Sequence, residues 1–108
     1  MRILLDHNTP APLRYWLLGH QVETAYERGW AELTNGKLLS EAENAGFDAV
    51  VTTDKGIRYQ QNLAGRRLAL VVIGTNDWTR IRESKSAVIG AISQLSPGCY
   101  LEIEIPFH

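Results

Sequence analysis

AVVTTDKGIRYQQNLAGRR, residues Ala49–Arg67, sets the fold and the question of function together. Ala49 to Thr53 are apolar or β-branched, the composition of a buried strand. The strand runs straight into Asp54. Lys55, Arg58, Tyr59, Gln60, Gln61, Asn62, Arg66 and Arg67 follow, all suited to gripping an anion. A carboxylate at the end of a strand, followed at once by such groups, needs an explanation.

Outward from this stretch the pattern alternates. Arg67–Gly74, RLALVVIG, is apolar enough for a strand buried on both faces. Before Ala49 lies a helix capped by Thr34 or Asn35 and running to Ala45. Its inward residues are Leu38, Leu39, Ala42 and Ala45, and Gly46 is its stop. RILL, Arg2–Leu5, is a first strand. In TPAPLRYWLLG, Thr9 is a candidate cap and Pro10 a first helical residue, with Leu13, Trp16 and Leu17 on one face. Gln21–Ala25 alternates like a strand, and Glu27–Leu33 is irregular. TRIRESKSAVIGAISQL is a last long helix with Ile81, Val88, Ile92 and Leu95 inward. CYLEIEI, Cys99–Ile105, alternates as a half-exposed edge strand. Strands alternating with helices imply an α/β fold with a mostly parallel sheet of four to five strands. Right-handed crossovers place helices on both faces. Ligands in such sheets bind beyond the carboxyl ends of the strands, where strand order reverses.

The chain has 108 residues, which suits a single domain over 1–108, and 44% of them are hydrophobic, which argues against disorder. No apolar run approaches the roughly 18 residues of a membrane span. MRILLDHNTP lacks a small-residue cleavage site and reads as a strand. Cys99 is the single cysteine, so no internal disulfide forms. A soluble cytoplasmic protein is the simple expectation. The net charge of −1 hides an asymmetry. Residues 1–54 carry 4 Lys/Arg against 8 Asp/Glu, whereas residues 55–85 carry 7 against 2. An acidic half beside a basic stretch suits an anionic site with a polyanion-binding rim; scattered surface charge is the plainer alternative.

Two strands end on aspartate, in ILLDHN and VVTTDK. In a parallel sheet Asp6 and Asp54 project from one edge, about 5 Å apart in backbone if the strands are neighbours. Carboxylates that close repel unless a cation sits between them, and a hard ion such as Mg²⁺ or Mn²⁺ suits oxygen ligands. Such an ion activates water against a phosphodiester. Each aspartate alone can instead cap the turn after its strand. Asn8 can offer an amide oxygen or cap the first helix. Thr52 and Thr53 can hold Asp54 or a water, or simply favour the pleat. His7 can serve as an acid or base, or lie idle in its loop. Lys55, Arg58, Arg66 and Arg67 suit phosphates, Tyr59 a base, and Gln60, Gln61 and Asn62 sugars or base edges. Trp16 has the phase of a core residue, Trp30 can flank a site, and Asp77 is a helix cap or an outer member of the acidic cluster.

MRILLDHNTPAPL together with GHQVETAYERGWAELTNGKLLSEAENAGFDAVVTTDKGIRYQQNLAGRRLALVVI resembles the small PIN-like proteins among the toxins of bacterial toxin–antitoxin pairs. The resemblance covers residues 1–75. It implies a Rossmann-like three-layer sandwich and a ribonuclease dependent on Mg²⁺ or Mn²⁺, held in check by a small antitoxin protein. Asp6 matches the acid ending the first strand, and Asp54 the acid of the T-x-D element. Asn35 stands where the family often has a further acid, and Lys37 where another often lies. The implied catalytic set is Asp6, Asp54 and Asn35, with Asp6 and Asp54 as metal ligands and Asn8 and Thr53 in support. Lys55, Arg58, Tyr59, Gln61 and Arg66 would position RNA. With its cluster thinned at Asn35, the alternative is a PIN-like module that binds nucleic acid or protein without cleaving. The edge strand YLEIEI suits pairing in a homodimer or with the antitoxin, although Glu102 and Glu104 can guard that edge.

Overall fold

The computed structural model of the chain describes residues 1–57 and 66–105. Five strands form one sheet: β1 Arg2–Leu5, β2 Gln21–Thr24, β3 Ala49–Thr52, β4 Ala69–Ile73 and β5 Tyr100–Ile103. Their spatial order is β2-β1-β3-β4-β5, and every neighbouring pair is parallel. β3 is buried at each of its 4 positions and β4 at each of its 5, as befits interior strands of a covered parallel sheet. β2 and β5 form the edges, as the alternation in the last strand implied.

Alternate strand residues enter two separate cores. One gathers Ile3, Leu5, Ala49, Val51, Val71 and Ile73 with Leu13, Ile81, Val88 and Ile92. The other gathers Leu4, Val50, Leu70 and Val72 with Leu38, Leu39 and Ala42 of helix α1, Asn35–Asn44. Period-2 strands thus meet period-3.6 helices, and each large aliphatic side chain fully removed from water contributes about 1.5–3 kcal/mol.

Two elements differ in detail from the sequence expectation. The first helix is a 3₁₀ helix, Ala11–Trp16, rather than an α-helix capped by Thr9. Pro10 and Pro12 bring no amide N–H to an α ladder. The Thr9 hydroxyl is used elsewhere, donating to the Val51 carbonyl at 3.1 Å. The last long helix is two: α2, Trp78–Glu83, and α3, Lys85–Ser93. The break falls at Ser84, a residue type that competes for backbone partners and favours caps. Gly46 closes α1 with φ +87°, a left-handed conformation suited to glycine. Asp77 caps α2 by accepting the Thr79 N–H at 3.0 Å. No helix among the described residues is long and apolar enough to cross a membrane.

Candidate active-site cleft

The strand order reverses between β1 and β3: the chain leaves β1 toward β2, then returns to the other side of β1. Loops departing in opposite directions leave a crevice at the carboxyl ends of those strands. An open cleft of about 400 Å³ lies there, lined by Asp6, His7, Asn8, Asn35, Thr53, Asp54, Lys55, Thr75 and Asn76. Asp6 follows β1, Asp54 follows β3, Asn35 begins α1, and Thr75 and Asn76 follow β4. Four elements distant in sequence therefore meet at one sheet edge.

Asp6 is held tightly. Its N–H donates to the Val51 carbonyl at 2.9 Å, extending the β1–β3 ladder by one step. Its side chain is only 5% exposed as a residue, so each carboxylate oxygen needs a donor. The Thr52 hydroxyl donates to Oδ2 at 2.8 Å, and the His7 N–H donates to Oδ1 at 2.7 Å. The His7 ring Nδ1 lies 3.1 Å from the same Oδ1. Asp54 is held by the turn it starts: Oδ1 accepts the Gly56 N–H at 2.9 Å. Oδ2 accepts from Asn35 Nδ2 at 2.5 Å.

Thr52 joins the two aspartates. Its buried hydroxyl donates to Asp6 and accepts the Asp54 N–H at 3.1 Å. Thr52, not Thr53, makes these bonds; Thr53 contributes to the cleft wall. The hydroxyl thus uses its single donor hydrogen and one of its two acceptor lone pairs.

Seven of the residues singled out in the sequence come together in this cleft: Asp6, His7, Asn8, Asn35, Thr53, Asp54 and Lys55. Arg66 does not join them. Its carbonyl lies beside Gly98, next to the amino end of β4 and a strand's length from the cleft. Arg58, Tyr59, Gln60, Gln61 and Asn62 lie outside the described residues. Trp30 packs near Phe47, with the Arg28 guanidinium 4.6 Å from its ring centroid, instead of flanking the cleft. Thr75 and Asn76 were not anticipated. The signal was present in VVIGTND, because they follow a parallel strand as Asp6 and Asp54 do.

Among the described residues no group of three or more His, Cys, Asp or Glu is placed to hold a metal ion. Two carboxylates with side-chain amides alongside are a donor set for a hard, largely hydrated cation, since Mg²⁺ keeps several waters and takes one or two carboxylates. They are not the closed nitrogen and sulfur set of a structural zinc. A larger cavity, about 620 Å³, opens at the opposite sheet edge between Phe47, Asp48, Arg67, Leu68, Leu95 and Pro97. It lacks the paired strand-end carboxylates, so the chemistry favours the smaller cleft.

Compared with known proteins, the chain matches no family model, no curated protein and no solved structure.

Proposed function

We propose that the cleft is the active site of a PIN-like, metal-dependent ribonuclease. The observation that supports it is the placement of Asp6 and Asp54, from adjacent parallel strands, in one open polar cleft at the point where strand order reverses. Asp6 and Asp54 would hold a Mg²⁺ or Mn²⁺ ion, which when bound activates water and stabilises charge on a phosphodiester. Thr52 fixes Asp6, and Asn35 and Gly56 fix Asp54, so both carboxylates are oriented by neighbouring donors at the cleft. Lys55 on the cleft wall supplies a positive charge for a phosphate. The resemblance adds a small antitoxin-type protein as the partner that restrains such a nuclease.

The test is cleavage of a fluorescent mixed-sequence RNA in Mn²⁺, Mg²⁺ or EDTA, with wild type, Asp6→Asn and Asp54→Asn. Metal-dependent cutting lost in both variants is the expected result. Cutting that survives both substitutions overturns the assignment of these carboxylates.

One observation favours a second reading, a module that binds nucleic acid without cleaving it. Where the resemblance expects a further acid, the chain has Asn35, whose amide donates to Asp54 instead of adding a carboxylate. Excess Mn²⁺ separates the readings, because an ion bound only by the folded chain must raise its melting temperature. No rise, with no cutting, selects the binding module.

A further inference from the structure

The cleft is electrically lopsided along the sheet edge. Strand order there runs β1, β3, β4, β5, and the carboxylates of Asp6 and Asp54 follow the first two. The positive charge lies farther along. Lys55 lines the cleft wall directly after Asp54. No ion pair among the described residues takes its ammonium. Its stem lies over β4 instead. A Cβ placed on Gly74, just after β4, would be 3.9 Å from Lys55 Cε, an ordinary van der Waals contact. Glycine leaves the end of β4 bare, and the apolar stem of the lysine rests on it.

Arg80 of α2 reaches the same place. Its Nη2 donates to the Ile105 carbonyl at 3.1 Å, and its Nη1 lies 3.5 Å from the hydroxyl of Thr75, itself on the cleft wall. The Cβ position at Gly74 is 3.3 Å from the Ile103 carbonyl oxygen and 3.6 Å from the Ile105 nitrogen. Lys55 and Arg80 thus approach one stretch of backbone, Ile103–Ile105. Neighbouring strands are about 5 Å apart, so the seat of Lys55 is one strand spacing past Asp54 and farther still from Asp6. A lysine next to Asp54 in the chain leans away from it. That leaves the carboxylates for a cation and the ammonium for an anion.

We propose that Lys55, seated on Gly74, holds an RNA phosphate beside the Asp6–Asp54 site and not the phosphate at that site, so that the RNA crosses the strand ends from the β4–β5 side. This rests on the nuclease reading of the cleft. A polynucleotide carries a charge at each nucleotide, so a cation one strand spacing from the carboxylates meets a neighbouring phosphate. Arg80 adds to the positive potential there. Lys55 then acts in binding, and its charge contributes equally before and during the reaction.

The experiment measures binding of a short fluorescent single-stranded RNA in EDTA across a range of salt. The proteins are wild type, Lys55→Gln, Lys55→Arg and, as a control at the opposite sheet edge, Arg67→Gln. Each phosphate neutralised on a single strand contributes about 0.7 to the slope of log affinity against log salt. Lys55→Gln should lower the slope by about 0.7, and Lys55→Arg and Arg67→Gln should keep the wild-type slope. With metal present, Lys55→Gln should raise KM several-fold and leave kcat unchanged. An unchanged slope in Lys55→Gln overturns the proposal, as does an equal loss in Arg67→Gln or a wild type that binds no RNA. A fall in kcat at constant KM also overturns it, by placing Lys55 on the reacting phosphate. The two readings fail separately. The expected slopes without cutting in any metal support the Lys55 contact and overturn the nuclease; metal-dependent cutting with an unchanged slope does the reverse.

Discussion

Replacing Thr52 by Val tests whether one hydroxyl holds the two aspartates. Valine keeps the shape of the side chain and its β-branching but removes both hydrogen bonds. One of them, at 2.8 Å, goes to a carboxylate that is almost fully enclosed. Hydrogen bonds to charged groups contribute about 1.5–3 kcal/mol. The other, at 3.1 Å, satisfies the Asp54 N–H, and a neutral bond contributes about 1 kcal/mol. The summed loss is about 2–4 kcal/mol. For a domain of this size that lowers the melting temperature by about 10 °C or more. Thr52→Ser keeps the hydroxyl and gives up one methyl, at about 1 kcal/mol. Thr53→Val, on the cleft wall, should stay within about 0.5 kcal/mol of wild type. Urea unfolding followed by tryptophan fluorescence measures all three. If Thr52→Val matches Thr52→Ser, or falls within about 0.5 kcal/mol of wild type, the hydroxyl does not bridge the site.

Three further outcomes follow from other parts of the molecule. The hydrogen bond from Arg14, then that from the Thr24 N–H, holds the Glu27 carboxyl below the ordinary glutamate range. A depressed acid stabilises the fold above its unfolded pKa, about 4.3, and loses that contribution as pH falls through the folded value. The stability gap between wild type and Glu27→Gln should therefore be widest near neutrality and close in acid; a gap that widens below pH ~4 contradicts the pairing. Gly29 and Gly98 share a φ of +75°, but a Cβ at Gly29 meets nothing within 4 Å, whereas one at Gly98 lies 2.8 Å from the Arg66 carbonyl oxygen. Gly29→Ala should cost about 1–2 kcal/mol and Gly98→Ala clearly more, as read by thermal unfolding. Leu38→Ala removes a side chain only 1% exposed from the core under α1 and should cost about 2–5 kcal/mol in the same assay.

Much of this arrangement was legible in the chain. The continuous apolar runs at Val50 and Val71 marked interior strands, and the alternation after Cys99 marked an edge. Strand-end aspartates in a parallel sheet were enough to place Asp6 and Asp54 in one cleft. The details lost were those decided by tertiary partners. Thr9 looks like a cap until the Val51 carbonyl takes its hydroxyl. Thr52 and Thr53 are equivalent in the sequence, and only the pleat decides which one turns inward toward Asp6. Arg66 sits among cations near Lys55 in sequence, yet by then the chain has returned to the amino end of β4.

The strand order also sets a timetable for folding. β1 is first in the chain but interior in the sheet, flanked by β2 and by β3. As the chain is synthesised, β2 arrives soon enough to pair with β1, but Val51, the partner of Leu5, comes 46 positions after it (51 − 5). Until then the other side of β1 has no strand, and closing so long a loop is entropically slow to repay. Nascent chains stalled before Val51 thus carry an open apolar edge, and the step that closes it also brings Asp54 to Asp6. Assembly of the cleft and covering of that edge of β1 are one event.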